Sequence, residues 1–69
     1  MSNTFCMLKV DRQFASEVRD LIKAAKDITY VRMNVMHDKA YKVLHIRGDE
    51  DAILRLAACN NHVVDILTY

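Results

Sequence analysis

Two segments with helical spacing of apolar residues separate four segments of extended character, and this alternation constrains the fold more than any other feature of the chain. Residues 4–10 (TFCMLKV) form an apolar run bounded by polar residues, which predicts a strand. Asp11 then supplies a helix N-cap. The helix is predicted to extend to about residue 26, because apolar residues recur on one of its faces: Phe14, Val18, Leu21, Ile22 and Ala25.

The second half of the chain carries further strand and helix signals. Residues 29–37 alternate apolar and polar side chains, and residues 41–47 are rich in β-branched and aromatic residues, so the short polar connection between them predicts an antiparallel hairpin. A second helix is predicted over residues 49–59. The pair of asparagines at 60–61 can adopt the left-handed conformation that ends a helix, and residues 62–69 follow as the last strand.

The resulting order is strand, helix, strand, strand, helix, strand. With right-handed crossovers, it most naturally gives a four-stranded antiparallel sheet with two helices on one face, the ferredoxin-like βαββαβ arrangement of the α+β class. We expect one domain, 1–69, because one glycine and no proline leave no stretch with the composition of a linker. Small-molecule-sensing regulatory domains and RNA-recognition domains share this order, so the fold alone does not select a function.

The cysteines and the first residues bear on cellular location. Cys6 and Cys59 lie in apolar runs and lack the framework of a disulfide-rich secreted domain, so we expect two reduced core thiols and a cytoplasmic protein. We expect neither a signal peptide nor a membrane span, because no window approaches the roughly 20 apolar residues that a span needs. The net charge of +1 gives no overall field, so charged partners would be attracted by local groups.

Gly48, the only glycine, precedes a predicted helix start and raises the question of a phosphate-binding turn. Phosphate loops place glycine there so that backbone N–H groups can approach the ligand. Here the helix begins with Asp49, Glu50 and Asp51, which would repel a phosphate. We therefore expect a corner at Gly48 with Asp49 as the N-cap, and we favour a solvated cap over a divalent-cation site at the acidic residues.

Side chains that could support catalysis are scattered along the chain. His37, His45, His62 and the two cysteines show no metal-ligand spacing such as CxxC or HxxxH. Ser16 and Cys6 stand in no recognisable nucleophile motif. We therefore expect neither an enzyme nor a metal or other cofactor.

Alternation of side chains divides the predicted sheet into two faces, which a one-residue slip in register would exchange. The face packed on the helices is expected to carry Cys6, Leu8, Val10, Val31, Met33, Val35, Leu44, Ile46, Val64 and Ile66. The opposite face would carry Phe5, Met7, Lys9, Tyr30, Arg32, Asn34, Met36, Tyr41, Val43, His45, Arg47, Asp65, Leu67 and Tyr69. All three tyrosines fall on this second face among basic residues, and an exposed apolar patch of this kind usually marks an interaction site.

Two kinds of macromolecule suit such a face. Aromatic rings and arginines on an open sheet can stack on the bases and follow the backbone of single-stranded RNA, but the signature of RNA-recognition domains is absent from the sequence. Contact with a protein, including a second copy of the chain, explains the same composition and would add to the small core of a short chain. We therefore favour a protein partner, expect a homodimer, and keep RNA as the alternative.

The two predicted helices carry further candidate surfaces. The basic residues of the first helix recur on one outward side, where they form either a solvated face or a contact for an acidic partner: Arg12, Arg19, Lys23 and Lys26. The second helix is apolar over most of its circumference. It is expected to turn Ala52, Ile53, Leu56 and Cys59 toward the sheet, and Leu54 and Ala58 away from it.

These observations predict a small regulatory or inhibitory protein without catalytic activity, of the kind that phages make against host factors. It would bind another macromolecule, most readily a protein, through the second sheet face or the basic side of the first helix. The alternatives are an RNA-binding regulator that uses the same sheet face and a small-molecule-sensing regulatory domain. The residues expected to contact the partner are Phe5, Tyr41, His45, Arg47 and Tyr69 on the sheet, with Arg12, Arg19 and Lys23 on the helix.

Overall fold

A computed structural model describes residues 3–35 and 39–68, and it contains the predicted strands and helices in the predicted order. A short 3-10 helix (Arg12–Phe14) precedes helix α1 (Ala15–Ala24), and helix α2 (Glu50–Ala58) connects the third strand to the fourth. The strands are β1 (Asn3–Asp11), β2 (Ile28–Val35), β3 (Tyr41–Asp49) and β4 (Val63–Thr68). The described chain is therefore of the α+β class, with a four-stranded antiparallel sheet and two helices.

The strands are ordered β2-β3-β1-β4, so β1 and β3 lie in the centre of the sheet and β2 and β4 at its edges. β1 pairs with β3 over its whole length, from Asn3 opposite Asp49 to Asp11 opposite Tyr41. The predicted antiparallel hairpin of β2 and β3 is confirmed. The centre of the sheet is thus continuous, and the irregular pairings lie toward its edges.

One hydrophobic core lies between the sheet and both helices. Leu8 and Leu44 of the central strands are fully buried and cluster with Val18 and Ile22 of α1 and with Ile53 of α2. Burial of each such side chain stabilises the fold by about 1.5–3 kcal/mol relative to its exposure. The predicted helix-packed face of β1 and β3 is confirmed, because residues of both helices belong to the same cluster as this face.

β2 departs from the predicted alternation because its pairing with β3 shifts between Tyr30 and Arg32. Tyr30 lies opposite Ile46 and packs against the core, whereas Val31 is 48 % exposed. The predictions that Tyr30 faces away from the helices and that Val31 faces them are therefore wrong. A bulge adds one unpaired residue to a strand, here Val31. The residues before the bulge therefore point to the face opposite to the one that strict alternation from Arg32 onward predicts.

A second shift occurs where β1 pairs with β4, between Lys9 and Val10. Val10 lies opposite Val63, which packs against the core, whereas Val64 is 53 % exposed. The prediction that Val64 faces the helices is therefore wrong. Val35 keeps the register of the helix-packed face on which it was expected, but it is exposed, because it stands at the end of the edge strand β2.

The first helical segment is shorter and less regular than predicted. Asp11 caps the 3-10 helix, and its carboxylate accepts a hydrogen bond from the backbone N–H of Gln13 (3.1 Å). Helix α1 covers only Ala15–Ala24, so Arg12 and Lys26 lie outside it. The basic residues therefore do not form a stripe on one continuous helix, because the spacing that would align them applies only within an α-helix.

Gly48 lies inside β3 and not at a corner, and its backbone φ is not in the left-handed region. A Cβ atom at this position would lie 2.8 Å from Cα of Ile28 and would also collide with the carbonyl oxygen of Asp27. The same oxygen accepts a hydrogen bond from the N–H of Asp49 (3.0 Å). Glycine is required here because the start of β2 approaches the backbone of β3 too closely for a side chain.

Helix α2 begins as predicted and ends differently. The carboxylate of Asp49 accepts a hydrogen bond from the N–H of Ala52 (3.2 Å), which confirms Asp49 as the N-cap. In residues 3–35 and 39–68 no φ is positive, so the prediction of a left-handed cap at Asn60 and Asn61 is wrong. Instead, the side-chain oxygen of Asn60 accepts a hydrogen bond from the N–H of His62 (2.9 Å), a local turn that asparagine favours.

Candidate interaction surface on the outer sheet face

The face of the sheet that points away from the helices is the first candidate surface, and we call it the outer face. In the described part of the chain, neither helix contributes to it. The strand registers assign to it Asn3, Phe5, Met7, Lys9, Asp11, Thr29, Arg32, Asn34, Tyr41, Val43, His45, Arg47, Asp49, Asp65 and Leu67.

The centre of the outer face is shielded from solvent although no helix of the described chain covers it. Val43 and His45 are each only 8 % exposed. Met7 lies opposite His45 on β1. Nearer the ends of β1 and β4, the apolar side chains of Phe5 and Leu67 remain 47 % and 41 % exposed. The outer face is therefore a surface with a packed centre and exposed apolar groups, which suits contact with a macromolecule.

His45 is held in its neutral form by its surroundings. The side-chain amide nitrogen of Asn34 lies 3.0 Å from Nε2 of His45. An amide nitrogen only donates, so Nε2 accepts this hydrogen bond and the ring proton lies on Nδ1. Burial lowers the pKa of His45, and the positive charge of Arg32 lowers the pKa further. A neutral, immobilised imidazole of this kind contributes shape and hydrogen bonding to the outer face.

Two aromatic rings of the outer face are paired with cations. The Lys9 ammonium nitrogen lies 4.4 Å from the centroid of the Tyr41 ring. The guanidinium carbon of Arg47 lies 5.6 Å from the centroid of Phe5, which is its direct cross-strand neighbour. Such pairs are attractive because the ring face carries partial negative charge. Each of these rings therefore already has a cation close to it.

The charged groups of the outer face differ between its middle and the ends of its strands. Lys9, Arg32 and Arg47 supply positive charge, and Asp65 stands opposite Lys9 on β4. One carboxylate oxygen of Asp65 accepts a hydrogen bond from the backbone N–H of Ile66 (2.8 Å). Asp11 and Asp49 stand at the strand ends, where their carboxylates cap helices. Between the strand ends the cations are therefore in excess, and this part of the face is complementary to an acidic surface.

Four of the predicted contact residues come together on the outer face: Phe5, Tyr41, His45 and Arg47. Tyr69, and with it Met36 and His37, lies outside the described residues. Arg12 stands in the 3-10 helix, Arg19 forms an ion pair with Asp20 (3.4 Å), and the ammonium of Lys23 lies 5.3 Å from the ring of Tyr30. Arg19 and Lys23, which stand on α1, are thus separated from the outer face by the sheet.

Sequence reasoning missed two grooves that flank helix α2. One lies between α1 and α2, and the other lies between α2 and the edge strand β4, where Leu54 and Val64 are exposed. Cys59, expected in the core, is exposed at the groove between the helices. The sequence feature that could have indicated these grooves is the excess of apolar residues around α2. A helix that is apolar on most sides contacts more than one neighbour or borders a groove.

The remaining chemistry of the described residues is limited. Burial raises the pKa of the Cys6 thiol, so this sulfur is a poor nucleophile. Residues 3–35 and 39–68 contain no group of three or more His, Cys, Asp or Glu side chains that could hold a metal ion. Neither of the helices in these ranges is long and apolar enough to cross a membrane.

No protein-family model, curated protein or solved structure matches the chain.

Proposed function

We propose that this chain is a small, non-enzymatic regulatory or inhibitory protein that binds an acidic surface of another protein through its outer face. The observation that carries the proposal is the composition of that face: exposed Phe5 and Leu67 stand beside Lys9, Arg32 and Arg47 around a packed centre. Protein interfaces combine apolar and aromatic contacts with arginine in this way. The proposal includes a cytoplasmic location and requires no cofactor.

We also propose that the arrangement of the sheet is ferredoxin-like. Counted from the other edge, the strand order is β4-β1-β3-β2, in which each helix connects a central strand to an edge strand. Because both helices pack on one face in this arrangement, the other face is left without a covering layer. The arrangement therefore accounts for an uncovered outer face in a chain of this length.

RNA is a weaker candidate for the same face. Single-stranded RNA binds such sheets by stacking its bases on aromatic rings. The Tyr41 and Phe5 rings already lie close to Lys9 and Arg47, so a stacking base would compete with a cation at each ring. An acidic protein surface can bind the same cations where they stand, while its apolar groups contact Phe5 and Leu67.

A photo-crosslinking experiment tests the proposal. We would replace Leu67 with p-benzoylphenylalanine on the outer face and, as the matched control, replace Leu21 on the helix side, since both leucines are exposed. In cells that make this protein, we expect the probe at residue 67 to form a discrete protein adduct that resists ribonuclease. The probe at residue 21 should not form this adduct.

Charge reversal supplies the second arm of the experiment. Arg32→Glu combined with Arg47→Glu should abolish the adduct at residue 67, whereas Arg19→Glu combined with Lys23→Glu changes the net charge equally and should retain it. A ribonuclease-sensitive adduct would overturn the proposal in favour of RNA.

An adduct of the chain with itself would assign the outer face to a homodimer. Light scattering over a concentration series then decides between self-association and contact with a different protein. Conversion of a dimer to a folded monomer by Tyr41→Glu with Val43→Glu would establish self-association and overturn a heterologous partner.

A further inference from the structure

The groove between α1 and α2, which we call the interhelical groove, is independent of the outer face. Its volume is about 500 Å³. Sites for small organic ligands enclose roughly 300–1,000 Å³ and are mostly apolar, with a few polar groups that orient the ligand. The interhelical groove matches such sites in volume and in its mostly apolar lining, and it is open to solvent on one side.

The walls of the interhelical groove come from two helical rows of small or apolar side chains. On one side, Leu21 lies in the last turn of α1 and Ala25 is the residue that follows the helix; on the other, Ala52 and Leu56 are four residues apart on α2. Residues at this spacing lie above one another on the same side of a helix. Leu21 is 54 % exposed, so the groove presents apolar surface to solvent that a ligand would cover.

The rim of the interhelical groove is charged, and cations are in excess. Lys26 follows α1 and Arg55 stands on α2, whereas Asp27 supplies one carboxylate. The net charge of these three groups is one positive unit. A ligand that matches both walls and rim has an apolar body and a single negative charge.

We propose that the interhelical groove binds a small amphipathic monoanion, such as a medium-chain or aromatic carboxylate. The apolar body would lie between Leu21 and Leu56, and the carboxylate would reach the side chains of Lys26 and Arg55. This site lies on the side of the sheet opposite the outer face, so both sites can be occupied together.

The exposed thiol of Cys59 at this groove provides a built-in reporter. We would measure the alkylation rate of Cys59 by iodoacetamide, a neutral reagent, on the intact protein by mass spectrometry. The probes are octanoate, kept below its micelle concentration, and 1-octanol as its neutral analogue. We expect octanoate to protect Cys59 in a saturable manner and to bind more tightly than 1-octanol.

Paired variants separate charge recognition from general apolar binding. Lys26→Gln with Arg55→Gln should weaken octanoate binding by about threefold to tenfold and leave 1-octanol binding unchanged, because two exposed ionic contacts are lost. The matched control, Arg19→Gln with Lys23→Gln, removes the same charge from α1 and should bind octanoate as the wild type does. Leu21→Asp, which adds a negative charge to an exposed wall position, should also weaken octanoate binding.

Three results would overturn the proposal: no protection of Cys59 by octanoate, equal binding of octanoate and 1-octanol, or an equal loss of octanoate binding in the control pair. Variants of the outer face should bind octanoate normally. Failure of this site would thus be distinguishable from failure of the outer face.

Discussion

The side-chain amide nitrogen of Asn34 lies 3.0 Å from Nε2 of His45, and this contact joins the edge strand β2 to the central strand β3 on the outer face. A protonated imidazole has no lone pair left at Nε2 to accept this hydrogen bond. Protonation of His45 therefore ends donation from the Asn34 amide to Nε2, so that the amide has to turn its oxygen toward the ring, and it places a second positive charge near Arg32. Burial lowers the pKa of His45 because it disfavours the charged ring, and the positive charge of Arg32 lowers the pKa further by repulsion.

The stability of the fold should depend on pH through His45. The unfolded histidine titrates near its ordinary pKa of about 6.5 and the folded one below it. As the pH falls through 6.5, the unfolded state binds more protons than the folded state, so the free energy of unfolding decreases until the folded pKa is passed. We expect urea midpoints measured from pH 8 to pH 5 to fall less steeply for His45→Gln than for the wild type. Equal slopes would contradict this assignment.

Gly48→Ala should destabilise the protein. Its Cβ would lie 2.8 Å from Cα of Ile28 and would collide with the backbone oxygen of Asp27, neither of which can move aside as a side chain can. We expect a loss of about 1–3 kcal/mol, typical of overpacking, in urea unfolding followed by circular dichroism. Where space allows, Gly to Ala stabilises a protein by about 0.4–1 kcal/mol, so the sign of the change distinguishes the two situations.

Asp49→Ala should lower the free energy of unfolding by about 1 kcal/mol, because it removes the side-chain acceptor for the N–H of Ala52 at the start of α2. The matched control is Asp51→Ala, which removes an exposed carboxylate from the same helical turn without removing the cap. Asp49→Asn should retain most of the stability, since an amide oxygen can also accept this hydrogen bond. Equal losses for Asp49→Ala and Asp51→Ala would assign the effect to charge at the helix start.

The two thiols should differ in reactivity. Cys59 is exposed, whereas Cys6 is 1 % exposed and its pKa is raised by burial. We expect iodoacetamide at pH 8 to modify one cysteine of the native protein, identified as Cys59 by peptide mapping, and to modify Cys6 only after addition of denaturant. Rapid modification of Cys6 in the native protein would show that β1 is not buried as described.

The candidate surfaces could be predicted from the sequence only in part. The grouping of Phe5, Tyr41, His45 and Arg47 follows from alternation along β1 and β3, because both strands are regular over their whole length. The grouping of Arg12 with Arg19 and Lys23 depended on one continuous α-helix and does not hold, since a 3-10 helix precedes α1. The interhelical groove could not be predicted, because it depends on the distance between two helices that are remote in sequence.

Local sequence alone determined the elements of this protein. Period-two and helical patterns of apolar residues set the strands and helices, and the short polar side chains of Asp11 and Asp49 set the helical starts, because these effects act between neighbours along the chain. Tertiary structure decided which face Tyr30 and Val64 occupy, because bulges arise from the pairing of whole strands. Tertiary structure also imposes glycine at position 48. The steric conflict of a side chain there would be with Asp27 and Ile28, which lie about twenty residues earlier in the chain and are brought near only by the fold.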